Sequence, residues 1–150
     1  MTYEERAKTL FLNGYNCAQA SFAAFSDLLG LEEKQALRIA SSFGGGMGRM
    51  REVCGALSGV FLAAGYLYGY DEPDDQKKME HYARVQELAG QFREQFGSII
   101  CRELLNNPST SPVPTPRTEA FYHCRPCAKY VAAAAALLEA YMLENPPVSS

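Results

Sequence analysis

The chain has no block of basic residues: 14 lysines and arginines stand against 17 acidic residues, for a net charge of −3. Without a clustered cationic face there is no electrostatic footprint for a polyanion, so a nucleic-acid partner is excluded at this level. No apolar run reaches the ~20 residues of a membrane span. The most apolar stretch, from Val53 to Tyr70, is interrupted by Gly55, Ser58, Gly59, Gly65 and Gly69 and reads as a buried helix, so the protein is not expected to be membrane-embedded. The opening Met1–Arg6 is polar and charged, unlike a secretory leader, which places the protein in the cytoplasm. Histidine is scarce, with only His81 and His123. His81 reads as a surface residue; His123, beside Cys124, reads as surface or as a ligand. No carboxylates pair at a spacing that demands acid–base catalysis. No segment alternates with the period of a strand, and no repeat is present. Gly44-Gly45-Gly46 lacks the lysine and hydroxyl residue of a phosphate-binding P-loop.

What is present is helical. The 150 residues, 47% apolar, suffice for one core, and residues 1–150 are expected to form a single all-α domain. The sequence predicts a bundle of five to seven helices around a buried central one. Thr2 caps a first helix that runs to about Leu12, where Asn13-Gly14 breaks it. Asn16 caps a second, with Ala20, Phe22, Ala23, Phe25 and Leu28 inward and Gly30 at its end. A third runs from about Glu32 to Phe43 with Leu37, Ile39 and Ala40 buried. After the Gly44–Gly48 loop the central helix extends from about Arg49 to Tyr68. Asp74 to Phe96 is a long amphipathic helix whose seam is Tyr82, Val85, Ala89, Phe92 and Phe96 and whose other face, including Arg84, is solvated. That seam packs internally or pairs two copies as a homodimer. Ser98 caps a short helix to Leu105. A proline-rich loop spans 106–117, with Pro108, Pro112, Pro114 and Pro116. The last helix starts between Thr118 and Pro126 and ends near Glu144, leaving a flexible tail over 145–150.

Against this background the five cysteines stand out: Cys17, Cys54, Cys101, Cys124 and Cys127. Nearly all fall at predicted helix starts, where free N–H groups and the dipole favour thiolate, the form that attacks disulfides and binds metals. In a reducing compartment such thiols point to catalysis, redox sensing or metal binding over structural disulfides. The 37, 47 and 26 residues separating Cys17, Cys54, Cys101 and Cys127 match no local zinc pattern, but helix starts at one end of a bundle can converge. The alternative is that each is a small apolar filler. Gly55 and Gly59, with Ala56 between them and Ala63 beyond, make a smooth stripe beside Cys54 that admits either a neighbouring helix or a cofactor. Cys124-Arg125-Pro126-Cys127 is a C-x-x-C pair without the βαβ setting of a thioredoxin-like dithiol.

Asn16-Cys17-Ala18-Gln19, Gly46-Met47-Gly48, Cys54-Gly55-Ala56-Leu57-Ser58-Gly59, Cys101-Arg102-Glu103-Leu104 and Cys127 followed by Tyr130-Val131 occur in that order. Together they resemble the redox-active family named for its C…GCAxxG…C…C pattern, from about Tyr3 to Leu143. The resemblance implies a small helical protein, redox-active or metal-binding, often encoded near transporters. Carried over by position, the family cysteines are Cys17, Cys54, Cys101 and Cys127. Cys124 is an addition, incidental or a resolving thiol or further ligand. The expected function is dithiol–disulfide exchange or metal-thiolate electron transfer, as a thiol oxidoreductase or electron carrier with Cys54 as the central thiolate. The competing expectation is a non-enzymatic module in which these cysteines hold zinc or an iron–sulfur cluster. A redox partner or a transporter component would be its partner.

Overall fold

Side-chain caps set the helix starts that the sequence marks. In the computed structural model, which describes residues 1–148, Thr2 and Glu5 form a reciprocal capping box at the head of α1 (Tyr3–Leu12). Asn16 and Gln19 form another at α2 (Cys17–Ala23). Asp74 accepts from Lys77 N at α6 (Asp75–Phe96), and Thr118 from Phe121 N at α8 (Glu119–Cys124). The remaining helices are α3 (Ser26–Leu29), α4 (Glu33–Ala40) with a 3-10 turn over Ser41–Phe43, α5 (Gly55–Tyr68), α7 (Cys101–Leu105) and α9 (Cys127–Glu144). Among the described residues there is no strand; the extended pairing is a single bridge between Val53 and Ile100.

The all-α class is as predicted, and the nine α-helices among the described residues exceed the expected five to seven for identifiable reasons. The second helix breaks at Ala24-Phe25, and the Ala24 carbonyl accepts from Arg6 Nη1 at 3.0 Å instead of continuing the ladder. Gly30 ends α3 in the left-handed conformation. Leu28 and Ile39, expected inside, are 42% and 48% exposed. The central helix starts at Gly55 and not near Arg49, because Met47, Arg49 and Arg51 all have positive φ and cannot begin a right-handed helix. The last helical segment is split into α8 and α9, with Pro126 as the N-cap of α9. Of the tail expected over 145–150, residues 149 and 150 lie outside the described residues.

α5 is the buried axis, with Gly55, Ala56, Leu57, Gly59, Val60, Ala63 and Ala64 inside, packed between α2 and α9. α1 packs on α2 and α9. The seam of α6 turns inward at Leu88, Ala89 and Phe92, where Phe92, Phe96 and Tyr130 cluster with ring centroids 4.8–5.9 Å apart; its Tyr82 end is exposed. Full burial of Leu57, Leu88 and Leu138 stabilises the core by about 1.5–3 kcal/mol each. Arg84, expected in solvent, lies over the Tyr68 ring at 4.7 Å, donates to Tyr141 Oη at 2.9 Å, and ties α6 to α5 and α9. His81 is likewise half-buried beside it.

Candidate functional site

The Asn16-Cys17-Ala18-Gln19 segment is a structural device as much as a motif. Asn16 Oδ1 accepts from Gln19 N at 2.8 Å, and Gln19 Oε1 accepts from Asn16 N at 3.0 Å, so Cys17 is fixed as the first residue of α2. Gln19 Nε2 reaches the Leu37 carbonyl and Asn16 Nδ2 the Ser41 carbonyl, locking this helix start to α4 and the turn behind it. The glycine loop then passes close by. Gly45 and Gly46 have positive φ, and a Cβ on Gly46 would sit 2.7 Å from both the Cys101 Cβ and Glu52 N. Only glycine fits there.

After the loop, residues 51–54 run antiparallel to 99–102. Cys54 N donates to Ile99 O at 2.8 Å, and Cys101 N donates to Glu52 O at 2.6 Å. Two cysteines distant in sequence are thereby brought to one paired segment, diagonal to each other, Cys54 as the N-cap of α5 and Cys101 as the first residue of α7. Ser98, expected to cap α7, does not: the N-cap is Ile100 with no side-chain cap, because Cys101 N is taken by the Glu52 carbonyl and Ser98 accepts from Ile100 N, ahead of the helix. Cys127 opens α9. Cys17, Cys54, Cys101 and Cys127 all line one cavity of about 320 Å³. Cys124 does not: it ends α8 in solvent, as does its neighbour His123. The C-x-x-C pair is therefore divided between the cavity and the surface.

The small-residue stripe is filled by α2. A Cβ on Gly55 would sit 2.5 Å from Cys17 Sγ, and one on Gly59 would run into Ser21 and the Ala18 carbonyl. Ala56 is fully buried in the core. Of the three residues expected to face a cofactor, only Gly55 borders the cavity. The stripe's role is to let the Cys17 helix approach α5.

Burial reverses the expected thiolate bias. It pushes the Cys54 thiol well above its ordinary value, with Cys17 and Cys127 charges adding to the effect, against the N–H groups of Ala56 and Leu57 that favour thiolate. Cys17 is pushed up by burial and by Cys101, against a hydrogen bond from Gly45. Cys127 is pushed up to about 12, again chiefly by burial. Cys101 has a different neighbour: Arg51 Nη1 donates to its Sγ at 3.6 Å. Arg51 is 2% exposed, its Nε donates to the Ser109 carbonyl at 2.9 Å, and its Nη2 is buried without a partner. Arg49, Arg117 and Arg125 also line the cavity. Arg49 donates to the Ser111 carbonyl and Thr115, and Arg125 to Thr115, so the glycine loop and the C-x-x-C segment together pin the proline-rich loop over the thiols. Sequence reasoning missed these arginines. Their signal was Arg49 and Arg51 flanking Met50 before Cys54, but nothing local says that Arg51 turns in while Met50 turns out.

As the side chains stand, no group of three His, Cys, Asp or Glu among the described residues could hold a metal ion. Coordination by the cavity thiols would require their side chains to turn together and a metal to displace their protons. Among the described residues no helix is long and apolar enough to cross a membrane.

Searches of curated proteins and of solved structures find no match. A family model does match over residues 15–141, taking in the four cavity cysteines and the glycine loop between the first two, and its description is "Putative redox-active protein (C_GCAxxG_C_C)". The chain belongs to the C_GCAxxG_C_C family.

Proposed function

We propose that the protein carries out thiol–disulfide exchange in the cytoplasm, with Cys101 as the entering sulfur and Cys17 as the thiol that resolves it. The observation that carries this reading is the delivery of four thiols, from four separate helix starts, to one small cavity. Cys101 is chosen because a guanidinium donates to its sulfur, and such a bond is strongest when the acceptor is anionic. Its Sγ attacks a small disulfide, breaking that S–S bond, forming a mixed disulfide and expelling one thiolate. Cys17 then attacks the Cys101 sulfur. Its proton passes to a departing thiolate, and the second half of the substrate leaves as a thiol. The two cysteines have lost two electrons and two protons, and the disulfide has become two thiols. Cys17 is taken as the partner because one glycine loop lies against both: a Cβ on Gly46 would meet the Cys101 side chain, and one on Gly44 would meet Asn16 beside Cys17. A thiol reductant or a redox partner protein resets the site.

The test is to react the reduced protein with a small neutral disulfide, quench with acid, and map linkages by mass spectrometry. A Cys17–Cys101 link is expected, lost in Cys101→Ser and retained in Cys124→Ser. Consumption of disulfide by Cys101→Ser at the rate of the unaltered protein would sink the assignment. Stoichiometric zinc, or iron with sulfide, in protein purified without oxygen would replace exchange by metal binding.

A further inference from the structure

We infer that the cavity is an anion-binding site, and that its substrate carries a carboxylate, sulfonate or phosphate group. The redox half of this inference rests on the exchange reading above; the anion site does not. Four arginines line the cavity and no acidic side chain does. The ion pairs among the described residues use Arg6, Lys77 and Arg102, none of them here. Arg117 is committed to structure: it donates to the Phe11 and Tyr15 carbonyls and lies over the Phe11 ring at 4.4 Å. Arg49 and Arg125 donate to neutral oxygens of the proline-rich loop, and Arg125 also lies over the Phe121 ring at 5.2 Å. Arg51 is almost wholly buried, with one nitrogen on a carbonyl, one on the Cys101 sulfur, and Nη2 on nothing.

A buried guanidinium with a free donor is costly, and an incoming ion or ligand oxygen would satisfy it. A Cys101 thiolate would offset one positive charge and leave Arg49 and Arg125 without a counter-charge. Burial first, and then the charges of Arg51 and Arg125, lower the pKa of Arg49. Planar guanidinium forks suit anions that present two oxygens. Leu104, Pro112 and Phe121 offer an apolar wall for the carbon body of the same ligand. A small anionic disulfide thus meets a cation for its charged end and Cys101 for its sulfur.

The experiment compares three disulfides of similar length on reduced protein: 3,3′-dithiodipropionate (anionic), hydroxyethyl disulfide (neutral) and cystamine (cationic). Each rate is divided by that of a free cysteine peptide, which removes the reagent's intrinsic reactivity. The anionic reagent is expected to be favoured over the neutral one by about tenfold at low salt, with the preference shrinking as salt rises. Arg51→Gln, Arg49→Gln and Arg125→Gln should each lower the anionic-to-neutral ratio; if Arg51→Gln fails to fold, the other two carry the test. A second readout needs no exchange. Ethane-1,2-disulfonate, which thiols do not reduce, should raise the melting temperature of Cys101→Ser above a chloride control of equal ionic strength, and should not do so once Arg49 is also replaced by Gln. If disulfides are consumed with no charge preference and the disulfonate leaves melting unchanged, the anion site falls and exchange stands. If the disulfonate stabilises but no disulfide is consumed, exchange falls and the anion site stands.

Discussion

At Cys127 two forces compete, and their sizes decide the outcome. The dipole and free N–H groups at a helix start favour thiolate by about 0.3–1 kcal/mol. One pKa unit corresponds to about 1.4 kcal/mol, so a thiol moved from 9.0 to about 12 shows burial winning by a wide margin. The sign of the stability effect follows. Below pH 9 the thiol is protonated in both folded and unfolded chains, and its contribution is fully present. Between pH 9 and about 12 the unfolded thiol ionises while the folded one resists, so stability is lost across that window. Melting curves from pH 8 to 11 should therefore fall less steeply for Cys127→Ser than for the unaltered protein. Parallel curves for the two proteins would mean that Cys127 is not held protonated in the fold.

At the scale of elements, the helix starts are what place the chemistry. Replacing Asn16 with alanine removes the cap on α2 and the tie to the Ser41 carbonyl, at a cost of about 1–2 kcal/mol. Its melting temperature should fall by about 2–8 °C, and alkylation of Cys17 should quicken, read by mass spectrometry. Two glycines in helices make opposite predictions. A methyl on Gly59 would meet Ser21 and the α2 backbone, so Gly59→Ala is expected to destabilise by at least about 1–3 kcal/mol. Gly90, in α6, has nothing near the added methyl, so Gly90→Ala should stabilise by about 0.5–1 kcal/mol. Chemical denaturation of both variants checks the contrast. Much of this level was legible. Thr2, Asn16, Asp74 and Thr118 act on backbone within three residues, so their caps can be read locally. The left-handed run through Met47, Arg49 and Arg51 could not be. Those side chains disfavour the conformation by about 1–2 kcal/mol each; bonds from their N–H groups to the Phe43, Gly44 and Gly45 carbonyls hold the run, and its end at Arg51 is fixed by Arg102 N, a third of the chain away.

Across the whole molecule, the gathering of Cys17, Cys54, Cys101 and Cys127 could be anticipated from their positions at helix starts. Their electrostatics could not, because burial is a property of the assembled core. The arginines were hidden for the same reason: Arg51 gains its meaning only when Cys101 and Ser109 arrive from elsewhere in the chain. The proline-rich segment is held by Arg49, Arg51 and Arg125 through side-chain bonds, with its own residues largely in solvent. Exchanging residues 108–114 for a glycine–serine linker should leave the helical circular dichroism signal unchanged and speed labelling of the cavity thiols by a bulky maleimide. Unchanged labelling would show that this segment does not limit access.

That cover has no backbone ladder to keep in register, and no helix depends on its length. Its sequence can diverge between related chains while the four sulfurs stay where they are. Reactivity and access are thus written in separate stretches of one polypeptide, the first in helix starts that tolerate little change, the second in a strap that tolerates a great deal.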